Sequence, residues 1–169
     1  MNRILAFALA AAIAAPLAAA PAAAKTASRS TAASAARFNG KWHSVPEGTF
    51  WSNGELPAGF SLMIDLEFGP NSLVYTSVND TDKAKPMGLT YTATLDGATL
   101  PLPGQARYNQ VSVRQLSKNE FQLLKSKDGD VIVAEFWTFY PDGKTLVRRG
   151  VGKSPEGISK AFQETFKRR

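Results

Sequence analysis

The amino-acid sequence predicts an all-β fold, an antiparallel up-and-down meander of about eight to ten strands closed into a barrel. Three observations carry this expectation. Apolar residues recur at period two in one short segment after another, residues that favour turns separate these segments at hairpin spacing, and nothing before residue 158 reads as a helix long enough for a βαβ crossover.

The N-terminus stands apart from this pattern. Arg3 is followed by the apolar run ILAFALAAAIAAPLAAA, residues 4–20, and then by small residues, the charged, apolar and cleavable order of a secretory signal. Pro21 is a poor first mature residue, so cleavage is expected after Ala24, with residues 1–24 as signal peptide. The run is short, rich in Ala and broken by Pro16, so it suits stable membrane insertion poorly. The next stretch, KTASRSTAASAA over 25–36, has no large apolar side chain to bury and is expected to be a disordered leader. The barrel domain is then expected over 37–169, in a periplasmic or secreted protein. The absence of Cys excludes disulfides, thiol nucleophiles, zinc-thiolate sites and a lipidated cysteine, and an export signal without disulfides fits a bacterial periplasm.

The first strand is expected in FNGKWHS, 38–44. FSLMIDLEF places Phe60, Leu62, Ile64, Leu66 and Phe68 on one face with Ser61, Met63, Asp65 and Glu67 between them. GPN at 69–71 ends it, SLVYTSV supplies the hairpin partner, and GLTYTATL repeats the alternation through Leu89, Tyr91, Ala93 and Leu95. After Asp96-Gly97 follow ATLPLPG, YNQVSVRQL, EFQLL, VIVAEFWTFY and KTLVRRGV, with Asp128-Gly129 and Asp142-Gly143 suited to tight hairpins. VIVAEFWTFY breaks the alternation. Ile132, Ala134, Phe136 and Tyr140 share one face, and Val131, Val133, Trp137 and Phe139 the other, so both are apolar. The spacing of Ile158, Phe162 and Phe166 suits a helical stripe or one face of a strand, and the final strand is the favoured reading.

Charge and motifs exclude several functions. The chain has 20 basic and 14 acidic residues for a formal net charge of +6, and losing Arg3 with the signal peptide leaves a mild +5. Without a basic stripe interleaved with aromatics, and outside the compartment of nucleic acids, no nucleic-acid partner is expected; the basic groups suit a solvated face or weak attraction to anionic membranes. His43 is the single histidine, so a multi-histidine metal site is impossible, and no Gly-x-Ser-x-Gly elbow is present. Asp65 and Glu67 read as surface charges and NDTD, 79–82, as a hairpin loop. GVGKS, 150–154, has Val147 where a phosphate-binding loop needs Gly. No catalytic constellation, metal or cofactor is expected.

With the meander in place, FNGKW, YTATLDGATLPLPG, NQVSVRQLSKNEFQLLKSKDGDVI and YPDGKTLVRRGVGKSPEGISKAFQETFKR together acquire a meaning. The chain resembles lipocalin-like members of the calycin group, and more closely a group of small exported bacterial proteins of unknown function, over residues 38–168. The resemblance implies a lipocalin-like β-barrel in which Trp42 closes one end against a basic side chain of the last barrel strand, Arg148 or Arg149; Trp42 as plain core is the alternative. It also implies a lid in SVPEGTFWSNGELPAG, 44–59, where Phe50 and Trp51 cap or plug a pocket.

The expected function is non-enzymatic binding of a small apolar or amphipathic ligand. Its pocket is expected to be lined by Leu62, Ile64, Tyr75, Tyr91 and Phe136, with Phe50 and Trp51 at the mouth and the tyrosines orienting the ligand. The alternative is a structural or interaction module with a self-filled barrel, meeting a protein partner or forming a homodimer through an outer strip of Val133, Trp137 and Phe139.

Overall fold

A computed structural model describes residues 35–169, so the expected signal peptide and most of the expected leader lie outside the described residues. Ala35 is fully buried and a 3-10 turn spans Ala36–Phe38, so the packed fold takes in two residues ahead of Arg37. Ten strands follow: β1 (Gly40–Trp51), β2 (Leu62–Phe68), β3 (Ser72–Asn79), β4 (Met87–Thr94), β5 (Asp96–Pro101), β6 (Gln110–Ser117), β7 (Glu120–Lys127), β8 (Asp130–Phe139), β9 (Thr145–Lys153) and β10 (Ser159–Arg168). The C-terminal segment is therefore a strand, as favoured.

The ten strands form one antiparallel sheet in the order β4-β3-β2-β1-β10-β9-β8-β7-β6-β5. Sequence neighbours other than β4 and β5 pair through hairpins, and β1 pairs with β10, so the first and last described strands lie side by side. Where β4 meets β5 and β6 the ladder gives way to isolated bonds, among them Gln115 N–H to Leu95 O at 3.0 Å, so the barrel is nearly closed. The β7–β8 turn uses Asp128 at φ 50° and Gly129 at φ 90°, the paired positive values of a tight primed hairpin.

Alternation decides what faces inward. In β2, Leu62, Ile64, Leu66 and Phe68 are buried while Met63 and Glu67 are exposed, as the period-two pattern requires. Strand β8 corrects the expectation: Val133, Glu135, Trp137 and Phe139 point into the barrel, and Phe136 is 47% exposed on the outer wall. Val133, Trp137 and Phe139 are thus core, and the outer strip expected as a dimer surface does not exist. Side-chain apolarity cannot phase a strand that is greasy on both faces, and an inward Glu135 argues for the wrong phase unless its buried partners are in view.

Strand β1 carries the second correction. Its pairing with β10 shifts register between Val45 and Phe50, and Gly48 takes φ +73° in the irregular stretch. Thr165 Oγ1 donates to Gly48 O at 3.1 Å and Thr165 N–H to Thr49 Oγ1 at 3.0 Å, fastening the bulge to β10. The extra residues invert the facing, so Trp42 and Ser44 point inward before the bulge and Phe50 points outward after it, 55% exposed. Residues 44–51 are consequently strand, and the connection over the barrel end shrinks to 52–61.

One end of the barrel is filled with aromatic side chains. Phe38 stacks on Phe139 with ring centroids 4.0 Å apart, and Trp42, Phe68 and Phe121 surround Phe139 at 5.2, 6.1 and 5.8 Å. Each such burial contributes about 1.5–3 kcal/mol, so this cluster is the fold's main anchor. Trp42 Nε1 donates to Phe38 O at 3.0 Å, satisfying its one polar group.

Candidate ligand-binding site

The opposite end of the barrel encloses a cavity of about 450 Å³. Its walls come from the ends of β1, β3, β7 and β9, the starts of β2, β4, β8 and β10, and the β5–β6 loop, all of which meet away from the aromatic seal. Trp51, Phe60, Leu62, Met87, Leu89 and Phe162 supply apolar wall, while Tyr75, Ser77, Asn79, Gln105 and Tyr108 supply neutral hydrogen-bonding groups. Gly152 of β9 contributes open space: a Cβ there lies 3.5 Å or more from its neighbours. At Gly150, also on β9, a Cβ falls 2.2 Å from Ala134 O, so glycine there lets β9 approach β8 and makes room for the Phe162 ring.

The cavity wall includes a buried ionic chain. Lys125 Nζ donates to Glu135 Oε1 at 2.7 Å, Arg148 reaches Glu135 Oε2 at 3.5 Å, and Arg148 Nε donates to Glu164 Oε2 at 2.9 Å. Two indoles complete the carboxylates' bonding: Trp137 Nε1 donates to Glu135 at 2.9 Å and Trp51 Nε1 to Glu164 at 3.1 Å. Two cations and two anions cancel, and each is hydrogen-bonded, which is how the interior tolerates charges that are costly to desolvate. Burial pushes the Glu135 carboxyl upward, but Arg148 and Lys125 outweigh it and hold the group down at about 2. Burial opposes the Lys125 ammonium, and Glu135 overcomes that opposition to raise it above the ordinary lysine value. Glu135 and Lys125 therefore stay charged at neutral pH.

Two further cations stand at the cavity mouth. Arg107, on the β5–β6 loop, donates from Nε to Lys153 O at 3.1 Å, and Lys160 of β10 lies against the Trp51 ring. Burial lowers the Lys160 ammonium below the ordinary lysine value, with Arg107 adding to the effect against the raising influence of Glu164 and Glu55. Among the described residues neither Arg107 nor Lys160 forms an ion pair.

The structure sorts the residues expected at the site. Trp51, Leu62 and Tyr75 line the cavity. Ile64 is fully buried nearer the aromatic end, and Tyr91 stacks on Tyr75 at 4.8 Å without lining the cavity. The Tyr91 hydroxyl is buried and has no hydrogen-bond partner among the described residues, and burial raises its pKa well above that of an ordinary phenol. Phe50 and Phe136 face outward and do not belong to the cavity.

The barrel-end assignment is likewise corrected in its basic partner. Trp42 is fully buried among the rings at the aromatic end, and the basic side chain over it is Arg168 of β10, with its guanidinium carbon 5.7 Å from the ring centroid. Arg168 also donates to Arg37 O at 2.9 Å and to Asn39 O, fastening the end of β10 to the segment ahead of β1. Arg148 is inside the barrel on Glu135 and Glu164, and Arg149 lies outside, donating to Gln163 Oε1 at 2.6 Å. The last barrel strand is β10 and not β9, which moves the partner from 148–149 to 168.

Sequence reasoning passes over Lys125, Glu135, Glu164, Arg107 and Lys160. A signal for the first three exists: Leu123-x-Lys125, Val133-x-Glu135-x-Trp137, Leu146-x-Arg148 and Phe162-x-Glu164-x-Phe166 put one charge at the inward phase of four successive strands, with balanced sign. Arg107 sits in a loop and has no such mark. His43 lies on the outer face of β1, as the alternation predicts, and is not among the cavity residues. Among the described residues no three His, Cys, Asp or Glu side chains gather as a metal site, and no helix is long and apolar enough to cross a membrane.

No protein-family model matches the chain, and a search of curated proteins finds no match. Solved structures do match the fold. The zebrafish ileal bile acid-binding protein complexed with cholic acid aligns with TM-score 0.52 and 13% identity, over 79% of this chain and 99% of that one. An SAHS protein from Ramazzottius varieornatus aligns with TM-score 0.52 and 9% identity, over 79% of this chain and 96% of that one. By its strand order and these likenesses, the chain has a lipocalin-like β-barrel fold.

Proposed function

We propose that this protein is a non-enzymatic carrier that holds one small amphipathic molecule in the barrel cavity, and that it works in the periplasm or outside the cell after removal of residues 1–24. The observation that carries the reading is the cavity itself, whose volume of about 450 Å³ lies within the range of about 300–1,000 Å³ of small-molecule sites. Its lining of aromatic and aliphatic wall with a few neutral polar groups fits a ligand that is mostly apolar and needs orienting. The zebrafish bile acid-binding neighbour, whose fold this chain shares, supports a carrier role by its shape. The ionic groups within the barrel are all engaged with one another, which favours holding a ligand over transforming it.

The test is a cavity filled from a position that tolerates it. At Gly152 a Cβ meets only ordinary contacts, with Arg107 at 3.5 Å, Val133 at 3.6 Å and Phe162 at 3.8 Å, so Gly152→Leu inserts a side chain without straining the backbone. The parent is expected to bind the neutral fluorophore N-phenyl-1-naphthylamine with a blue-shifted emission, and Gly152→Leu to lose about tenfold or more in affinity while keeping its melting temperature. Equal binding by the folded variant would place the ligand elsewhere and end the reading.

A further inference from the structure

We propose that the carried molecule is an anionic amphiphile bound with its anionic group at the cavity mouth, between Arg107 and Lys160, and its apolar body pointing inward. This rests on the cavity being the ligand site and adds the ligand's charge and direction.

The interior refuses an anion. Arg148, buried in the cavity wall, is already taken by Glu135 and Glu164, and Lys125 by Glu135. A carboxylate or sulfonate pushed to that depth meets the two glutamates and must break a pair to find a partner, leaving a buried charge uncompensated. A cationic ligand group at the same depth is no better served, because each carboxylate is already engaged by a cation and an indole N–H.

The mouth invites one. Arg107 and Lys160 both border the cavity, come from different segments and carry no ion pair among the described residues. Both border the same opening and Arg107 disfavours the Lys160 charge, so an anion between them relieves that repulsion as well as gaining two attractions. Arg107 is also held in position, because its guanidinium is anchored to Lys153 O through Nε and Nη2, which leaves Nη1 free. Three acids are near: Glu55 and Glu156 are exposed on the rim, hydrogen-bonded by Asn53 and Ser154, and Glu164 is engaged by Arg148 and Trp51, whereas a ligand anion is held between the two cations by the cavity that takes its body. Between mouth and ionic chain lie Trp51, Phe60, Leu62, Leu89 and Phe162, an apolar lining for the remainder of the molecule.

A matched pair of probes separates the direction from the carrier role. The fluorophore 8-anilinonaphthalene-1-sulfonate shares the aromatic body of N-phenyl-1-naphthylamine and adds one sulfonate. The parent is expected to bind the sulfonate probe more tightly, with an affinity that falls as salt is added. The double variant Arg107→Gln with Lys160→Gln is expected to lose about tenfold or more for the sulfonate probe, together with its salt dependence, and several-fold less, if anything, for the neutral probe. The single change Lys160→Glu should weaken the sulfonate probe by a similar factor and serves if the double variant folds poorly. Lys41→Gln, at the far end of the barrel, is the charge control. If the variants leave both affinities unchanged, or lower both equally, the proposed direction is wrong although the cavity still carries a ligand. If the parent binds neither probe, the carrier reading falls and the direction with it.

Discussion

The two ends of this barrel are built from the same alternating strands and hold opposite contents. At the end capped by Ala36–Phe38, the inward positions are Phe38, Trp42, Phe68, Phe121 and Phe139, all 4% exposed or less, and rings pack on rings. At the other end the inward positions of β7, β8, β9 and β10 are Lys125, Glu135, Arg148 and Glu164, which bind one another and border open space. The difference teaches how one sheet divides its duties. Aromatic packing supplies stability where nothing need enter, and a self-neutralising ionic chain forms a rigid polar wall where a cavity must stay open, since charged groups with fixed partners cannot collapse into it.

The largest effect expected from this division is at the aromatic end. Phe139 touches Phe38, Trp42, Phe68, Phe121 and Trp137, so Phe139→Ala removes the hub of the cluster and leaves a cavity that five rings cannot all close. The expected loss is about 3–5 kcal/mol in urea denaturation. A loss below about 1 kcal/mol would mean that the aromatic end is not the anchor.

The ionic wall ranks next and has its own signature in pH. Glu135→Gln keeps the shape but leaves Lys125 without its anion and Arg148 with one anion in place of two, at an expected cost of about 3 kcal/mol at neutral pH. In the folded protein the Glu135 carboxyl is held at about 2, whereas in the unfolded chain it titrates near the ordinary 4.5. Its contribution is therefore complete above about pH 5 and is lost as pH falls from there toward 2, because the unfolded state takes up the proton first. Melting temperatures measured between about pH 6 and about pH 2.5 should fall more steeply for the parent than for Glu135→Gln, so the two curves converge in acid. Parallel curves would remove Glu135 from the account.

The same contrast explains what the sequence could and could not disclose. Strand β2 announces itself, since Leu62, Ile64, Leu66 and Phe68 alternate with Met63, Asp65 and Glu67 and their phase has one solution, which carries Phe68 into the aromatic end. The ionic wall is hidden by the rule that finds strands. Val133 and Trp137 flank Glu135 and are as apolar as Ala134 and Phe136 beside them, so the phase of β8 turns on whether a glutamate is buried, and that depends on Lys125 and Arg148, 10 and 13 residues away. Phe50 escapes the pattern for a different reason: a bulge inverts the facing of β1, and no alternation records an inserted residue. The mouth cations depend on where a loop lands, which is the part of a barrel least constrained by periodicity.

The smallest effect tests the seal itself. Arg168 and Arg148 both rest on aromatic rings, Arg168 on Trp42 and Arg148 on Phe166 at 5.4 Å, yet their settings differ. Arg148 is buried between two carboxylates, while Arg168 is exposed and binds main-chain carbonyls of Arg37, Asn39 and Gly143. An exposed cation over an indole contributes about 0.5–1 kcal/mol, so Arg168→Gln is expected to cost about 1 kcal/mol in urea denaturation and to leave the ligand cavity untouched. Arg149→Gln, on the outer wall, provides the reference at near zero. If the two substitutions cost the same, Trp42 closes the barrel through the Phe38 carbonyl and the surrounding rings alone, and the basic side chain over it is incidental.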